Sequence, residues 1–343
     1  MYEWLGVCLA LSALLTLNAG VSALTALVWR LLQTRANHWS AGAKSQCIFA
    51  LRVFPGLSSL ACVLALLIPA YITHEPRYQT ENVTLKLATL AAISAAGLLL
   101  ACWRGLAAWR VTRNLINDWL ANSEPISLDQ SVATIGRAIP AYRLRHRFPV
   151  VAVVGTFRPR LFIADHLFDS LTEEELAAAI AHECGHLAAR DNLKRTLLRI
   201  CRDVLTIVPC GRALDRYWAE ASEEAADEFA ARNGGQSALD LASALVKIAR
   251  LVPEGLSPIL SAQTAGALLI GENLSSLARR VTRLTSLASV TAPYKSATLH
   301  TTTAIPASVW VLLGILLTAI TVSAYSALAT VHELIEFTVS ILQ

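Results

Sequence analysis

The chain has 343 residues, of which 55% are hydrophobic and only 16% charged, and its mean hydropathy is +0.50. Soluble domains carry about 25% charged residues, so the composition argues against a wholly soluble protein and for one that lives in a lipid bilayer. A net charge of +4 is too small to suggest a nucleic-acid binder, and no direct nucleic-acid partner is expected.

Residues 4–29 contain no charged side chain, and Trp4 and Trp29 stand at the two ends, where aromatic belts belong. The basic region and short apolar core of a cleaved signal peptide do not fit this stretch. Charge-free stretches recur at residues 53–73 and 87–103, the latter lengthened by Lys86 and Arg104, whose charged ends can reach outward. A fourth stretch covers residues 301–331. Arg30, Arg35, Lys44 and Arg52 lie between the first two spans, and Arg104, Arg110 and Arg113 follow the third. Positive charge marks the cytoplasmic side. The N- and C-termini are therefore expected outside and residues 111–300 in the cytoplasm.

That portion opens with Asn122-Ser123-Glu124-Pro125, which reads as a turn. Val150–Val154 and Leu161–Ile163 are β-rich runs around a Gly155–Pro159 connection, hence a hairpin. An edge strand can hold an extended peptide backbone by strand addition, and either of these two strands is a candidate.

Thr172 and Glu175 then form a capping box, with Leu171 and Leu176 as a hydrophobic staple. The helix they open carries His182-Glu183-Cys184-Gly185-His186. Histidines four apart share a helix face and can bind one metal ion together. Glu183 is offset enough to miss the metal and reach its water. A catalytic zinc needs a third protein ligand and keeps a fourth position open. The run Glu220 to Ala231 reads as a second helix on which Glu223 and Asp227 share a face. Glu223 is the expected third ligand. Asp227 is expected to hold a ligand histidine by its other ring nitrogen. Without the histidine motif, this acidic run would read as a solvated face. Cys184 points away from the histidines and is not an expected ligand. Arg195, Arg199 and Arg202 line the next helix and read as a solvated or headgroup-facing face, and residues 255–271 as loop and helix of the cytoplasmic portion. Arg216 and Tyr217 are both candidate donors for a reaction oxyanion.

His182-Glu183-x-x-His186, Arg190-Asp191-Asn192 and Glu223-x-x-Ala226-Asp227 together resemble the membrane zinc peptidases of the BlaR/MecR type, the penicillin-sensor proteases. More distantly they are similar to HtpX-type and CAAX-processing membrane proteases. The strand pair and the segment Leu277–Leu284 fit the same pattern, so the resemblance spans residues 145–285. Penicillin sensors carry a large external domain after their last span, whereas this chain ends at Gln343. The resemblance implies a gluzincin, a peptide-bond hydrolase with one zinc per chain.

The expected protein is thus a mainly α integral membrane protein with a zincin-like α+β domain carrying a small β-sheet. Residues 1–110 hold three membrane helices, 111–300 the cytoplasmic metallopeptidase, and 301–343 a fourth span with a short external tail. It would sit in the bacterial plasma membrane and act on a protein or peptide substrate. The alternative is a sensor protease that relays a signal by cleaving itself or a transcriptional repressor.

Overall fold

The computed structural model describes residues 2–36, 38–74, 83–127, 139–204, 210–252 and 274–289, together with Glu333. The expected fourth span and residues 255–271 lie outside these.

Three helices are long and apolar enough to cross a membrane, and each exceeds its charge-free stretch. The first is α1, Tyr2–Ala36. α2, Ala41–Cys62, runs through a π-helical turn at Val63–Leu67 into α3, Ile68–His74. α4, Leu85–Ala121, has 37 residues. Ser40 caps α2 by accepting from the Ala43 amide, and Thr84 caps α4 by accepting from Leu87. At the N-terminal end of α1, Tyr2 and Tyr71 exchange hydroxyl-to-carbonyl hydrogen bonds of 3.2 and 2.7 Å. Gly6 leaves room for the Tyr71 ring, which a Cβ there would approach to 2.7 Å.

The sheet holds β1 (Ser123–Ile126), β2 (Ala141–Leu144), β3 (Val151–Val154) and β4 (Arg160–Ala164) in the order β1-β2-β4-β3. β2 and β4 are parallel and the other pairs antiparallel, so the expected hairpin is β3–β4. The expected turn at Asn122–Pro125 is instead the helix end followed by strand β1. Pro125 is tolerated because β1 is an edge strand, where a missing N–H costs no ladder bond. Val151, Val153, Leu161, Phe162 and Ile163 form the core with Trp119 at the C-terminal end of α4.

Six further helices follow: α5 (Leu167–Ser170), α6 (Glu173–Ala188), α7 (Asp191–Val204), α8 (Cys210–Ala230), α9 (Gly235–Leu251) and α10 (Leu274–Ser289). α8 packs on α2 as well as on α6, sharing Leu214, Trp218 and Ala221 with Ile48 and Phe49.

Candidate metal centre

α6 starts at the expected capping box: Thr172 Oγ accepts from the Glu175 amide, and Glu175 accepts from the Thr172 amide. The other Glu175 oxygen accepts from Ser243 on α9 at 2.6 Å, and Lys247 also donates to this carboxylate at 2.7 Å. The helix start is thereby fixed, which sets the rotation of the histidine face two turns later.

His182, His186 and Glu223 are buried together, and one ligand atom from each lies within 4.8 Å of the others. Nε2 of His182 is 3.5 Å from Glu223 Oε2, and Nε2 of His186 is 3.4 Å from Glu223 Oε1. The other nitrogen of each ring faces a carboxylate. Asp227 Oδ1 stands 3.0 Å from Nδ1 of His182, and Asp191 Oδ2 is 2.8 Å from Nδ1 of His186. Both rings are thus turned so that Nε2 faces the shared centre. Among the described residues, His182 Nδ1, His186 Nε2 and Glu223 Oε2 are buried without a hydrogen bond of good geometry. Buried polar atoms left in that condition are costly. Two imidazole nitrogens and one carboxylate are also the donor set that suits zinc. The residues therefore fit a metal ion.

Glu183 lies beside this group, 3% exposed, with Oε2 accepting from the Val153 amide at 3.0 Å. Asn192 Nδ2 donates to the carbonyls of Val153 and Gly155 at 2.9 and 3.3 Å. Of the two candidate strands, β4 is interior and β3 is the edge that meets the metal helix. α8 can approach α6 because residue 185 is glycine: a Cβ there would come within 3.1 Å of Ala226 Cα and Phe229 Cβ.

Charges inside the site are balanced locally. Burial raises the pKa of Glu223, but His186, His182 and Arg280 outweigh it and hold the carboxyl well below its ordinary range. Burial opposes a charged His186, yet Glu223 and Asp191 push its pKa up to about 10. For Glu183 burial prevails over the nearby histidines, and its pKa is raised. That shift moves it toward the range where one group can both take and return a proton.

Two contributors carried no expected role. Asp191 holds His186 and also accepts from Ser222 at 2.7 Å. Arg280 on α10 donates to both Asp227 oxygens at 2.9 and 2.7 Å, with Nη1 3.3 Å from Glu223 Oε2. Arg195, expected on a solvated face, donates to Glu223 Oε1 at 3.2 Å. The acidic run on α8 is not simply solvated either. Arg279 faces Glu220, and Arg283 faces Glu224 and Glu228. Cys184 is buried in the sheet core, as its position on the helix implied. Tyr217 is exposed beside Trp29 and Arg216 is exposed, unlike the buried cluster.

Among the described residues, then, an α6–α8 pair presents a buried two-histidine, one-carboxylate group with a second carboxylate, Glu183 of α6, hydrogen-bonded to the edge strand, the layout of a metal-dependent hydrolase. Residues 152–302 match the family model of Peptidase family M48, a range that contains every residue of the site. The match indicates a metallopeptidase, a hydrolase of peptide bonds. No curated protein matches the chain.

Proposed function

We propose that the protein is a membrane-embedded zinc endopeptidase that cleaves a protein substrate at the cytoplasmic face of a bacterial plasma membrane. The observation that carries the reading is the convergence of His182 Nε2, His186 Nε2 and Glu223 on one buried point beside Glu183. His182, His186 and Glu223 would hold one zinc. Zinc in such a site acts as a Lewis acid, lowering the pKa of its water and polarising a carbonyl.

The chain's own residues supply the rest. Asp227 and Asp191 keep the Nδ1 side of each ring protonated and its Nε2 available. The Glu183 carboxylate takes the proton of the attacking water and later passes it to the nitrogen of the leaving amine. Edge strand β3 is the place for the substrate backbone to run. The basic first loop and the basic flank of the third span support a cytoplasmic site.

The test is zinc content and peptide cleavage on three variants in one membrane preparation. Glu183→Gln keeps size but cannot accept a proton, so zinc should stay and cleavage fall about 10²–10⁴-fold. Glu223→Gln should lose zinc and activity together. Asp227→Asn should cost about 10–100-fold in affinity or activity. Full cleavage by Glu183→Gln would overturn the reading. A reporter fused near residue 240 checks the topology: an external signal would overturn the cytoplasmic placement.

A further inference from the structure

α8 supplies Glu223 and Asp227, yet it is tied to a membrane span at both ends. Near its start, Asp215 Oδ1 accepts from Nε of Arg52 at 2.9 Å. Arg52 belongs to α2 at the edge of the second apolar stretch and is only 2% exposed. Its guanidinium lies against the first turn of α8, where Gly211 makes room: a Cβ at that position would sit 3.1 Å from Nη2. A cation is unfavourable at a helix N-terminus. Asp215, not the helix dipole, therefore holds Arg52 there. Near the other end, Glu228 accepts from the Ala41 amide at 3.3 Å, filling one of the donors left open at the start of α2. The two ties flank Glu223 and Asp227 in sequence, and the apolar contacts of Trp218 and Ala221 with Ile48 and Phe49 lie between them.

The span itself carries two breaks in regular α-helical bonding. Pro55 interrupts the backbone ladder of α2, and the π turn at Val63–Leu67 separates its inner part from the outer part that Tyr71 fastens to Tyr2. Meanwhile the two histidines belong to α6, which is held instead to α9 through Glu175 and to β3 through Glu183.

We infer that Arg52 is a positioning residue for the metal centre: through Asp215 the second membrane span sets where α8, and with it Glu223, stands relative to the histidine pair. The inference rests on the zinc-peptidase reading and adds to it the route by which a change in the membrane bundle reaches the site. A shift of the inner part of α2 moves one ligand against the other two.

The experiment uses the full chain in detergent. It measures zinc affinity by chelator competition, the visible spectrum of the cobalt-loaded protein, kcat and KM for a peptide, and the thermal unfolding temperature. Arg52→Leu and Asp215→Leu should each weaken zinc binding on the order of tenfold, as outer contacts of metal ligands do. They should also alter the cobalt spectrum and lower kcat more than KM. The exchange Arg52→Asp with Asp215→Arg should recover all of these, and Arg52→Lys should recover part. Where Arg52→Leu fails to fold, Arg52→Lys and Asp215→Asn carry the same readouts. Folded single variants with wild-type zinc affinity and cobalt spectrum overturn the inference. So does a loss that the exchange leaves unrepaired. A wild-type chain that binds no zinc overturns the peptidase reading instead. The tie then stands if the single variants lower the unfolding temperature and the exchange restores it, and falls if they do not.

Discussion

Asp191 Oδ2 lies 2.8 Å from Nδ1 of His186, and the residue just before it, Arg190, is the one described non-glycine residue with positive φ, at 55°. The left-handed step ends α6 and turns the chain back, so the first residue of α7 faces a histidine of the helix just completed. Asp191→Asn keeps the shape but removes the charge that steadies the imidazole. Zinc affinity should fall about 10–100-fold, with the unfolding temperature of the metal-free protein changed far less. Chelator competition measures the first and calorimetry the second. Unchanged affinity would show that Asp191 has only a structural part.

Gly185→Ala tests the α6–α8 approach. The added Cβ meets backbone at Ala226 and the Cβ of Phe229, both 3.1 Å away and neither a flexible tip. Overpacking of this kind costs about 1–3 kcal/mol. It should also separate Glu223 from the histidines, so zinc affinity should drop along with stability. Gly234→Ala differs: nothing lies within 4 Å, so any cost comes only from its φ of 120°, and metal affinity should remain at the wild-type level.

Glu175 gives a pH-dependent contribution. Burial alone would raise its pKa, but Lys247, Ser243 and the Thr172 amide outweigh it and lower the value below the ordinary 4.5. A lowered folded pKa means the stabilisation is present above the unfolded value and is lost as pH falls through the folded one. Glu175→Gln keeps the capping box but loses the charge facing Lys247, so it should destabilise by about 0.5 kcal/mol at neutral pH, as loss of a partly exposed ion pair does. The gap from wild type should close as pH drops below 4.5. A gap independent of pH would mean that the charge of Glu175 contributes nothing.

On α1, Asn18 is 1% exposed and its Oδ1 has no hydrogen-bond partner among the described residues. An unsatisfied buried carbonyl costs about 1–3 kcal/mol. Asn18→Leu should accordingly raise the unfolding temperature in detergent. A fall would reveal a bridging water or lipid group at that depth.

The grouping of His182, Glu183, His186 and Glu223 was legible because its information is local: two spacings of four, each within one helix, the first with a plain start signal at Thr172 and Glu175. Asp227 followed from the same spacing. Asp191 was harder, since its contact with His186 depends on a reversal at Arg190 that no glycine announced. Arg280 was harder still. It lies 53 residues from Asp227 along the chain, and only its place in the segment resembling other peptidases pointed toward the site. Arg195 read as solvated because its row of arginines matched a surface pattern, whereas Glu223 draws it inward. Pro125 read as a turn because proline usually breaks strands; its tolerance here depends on β1 being an edge, which is a property of the assembled sheet.

The length of α4 bears on how the protein is made. Its 37 residues extend about 55 Å at 1.5 Å per residue, well beyond the ~30 Å hydrocarbon layer. Its C-terminal end carries Leu115, Ile116 and Trp119, which wall the sheet core. During synthesis α4 leaves the ribosome before any of β1–β4, since chains emerge from the N-terminus. In the proposed membrane arrangement, an apolar ridge would already project from the membrane surface when the strands appear. The sheet would then condense on a template fixed in the lipid, and membrane insertion would become an early step in folding the domain.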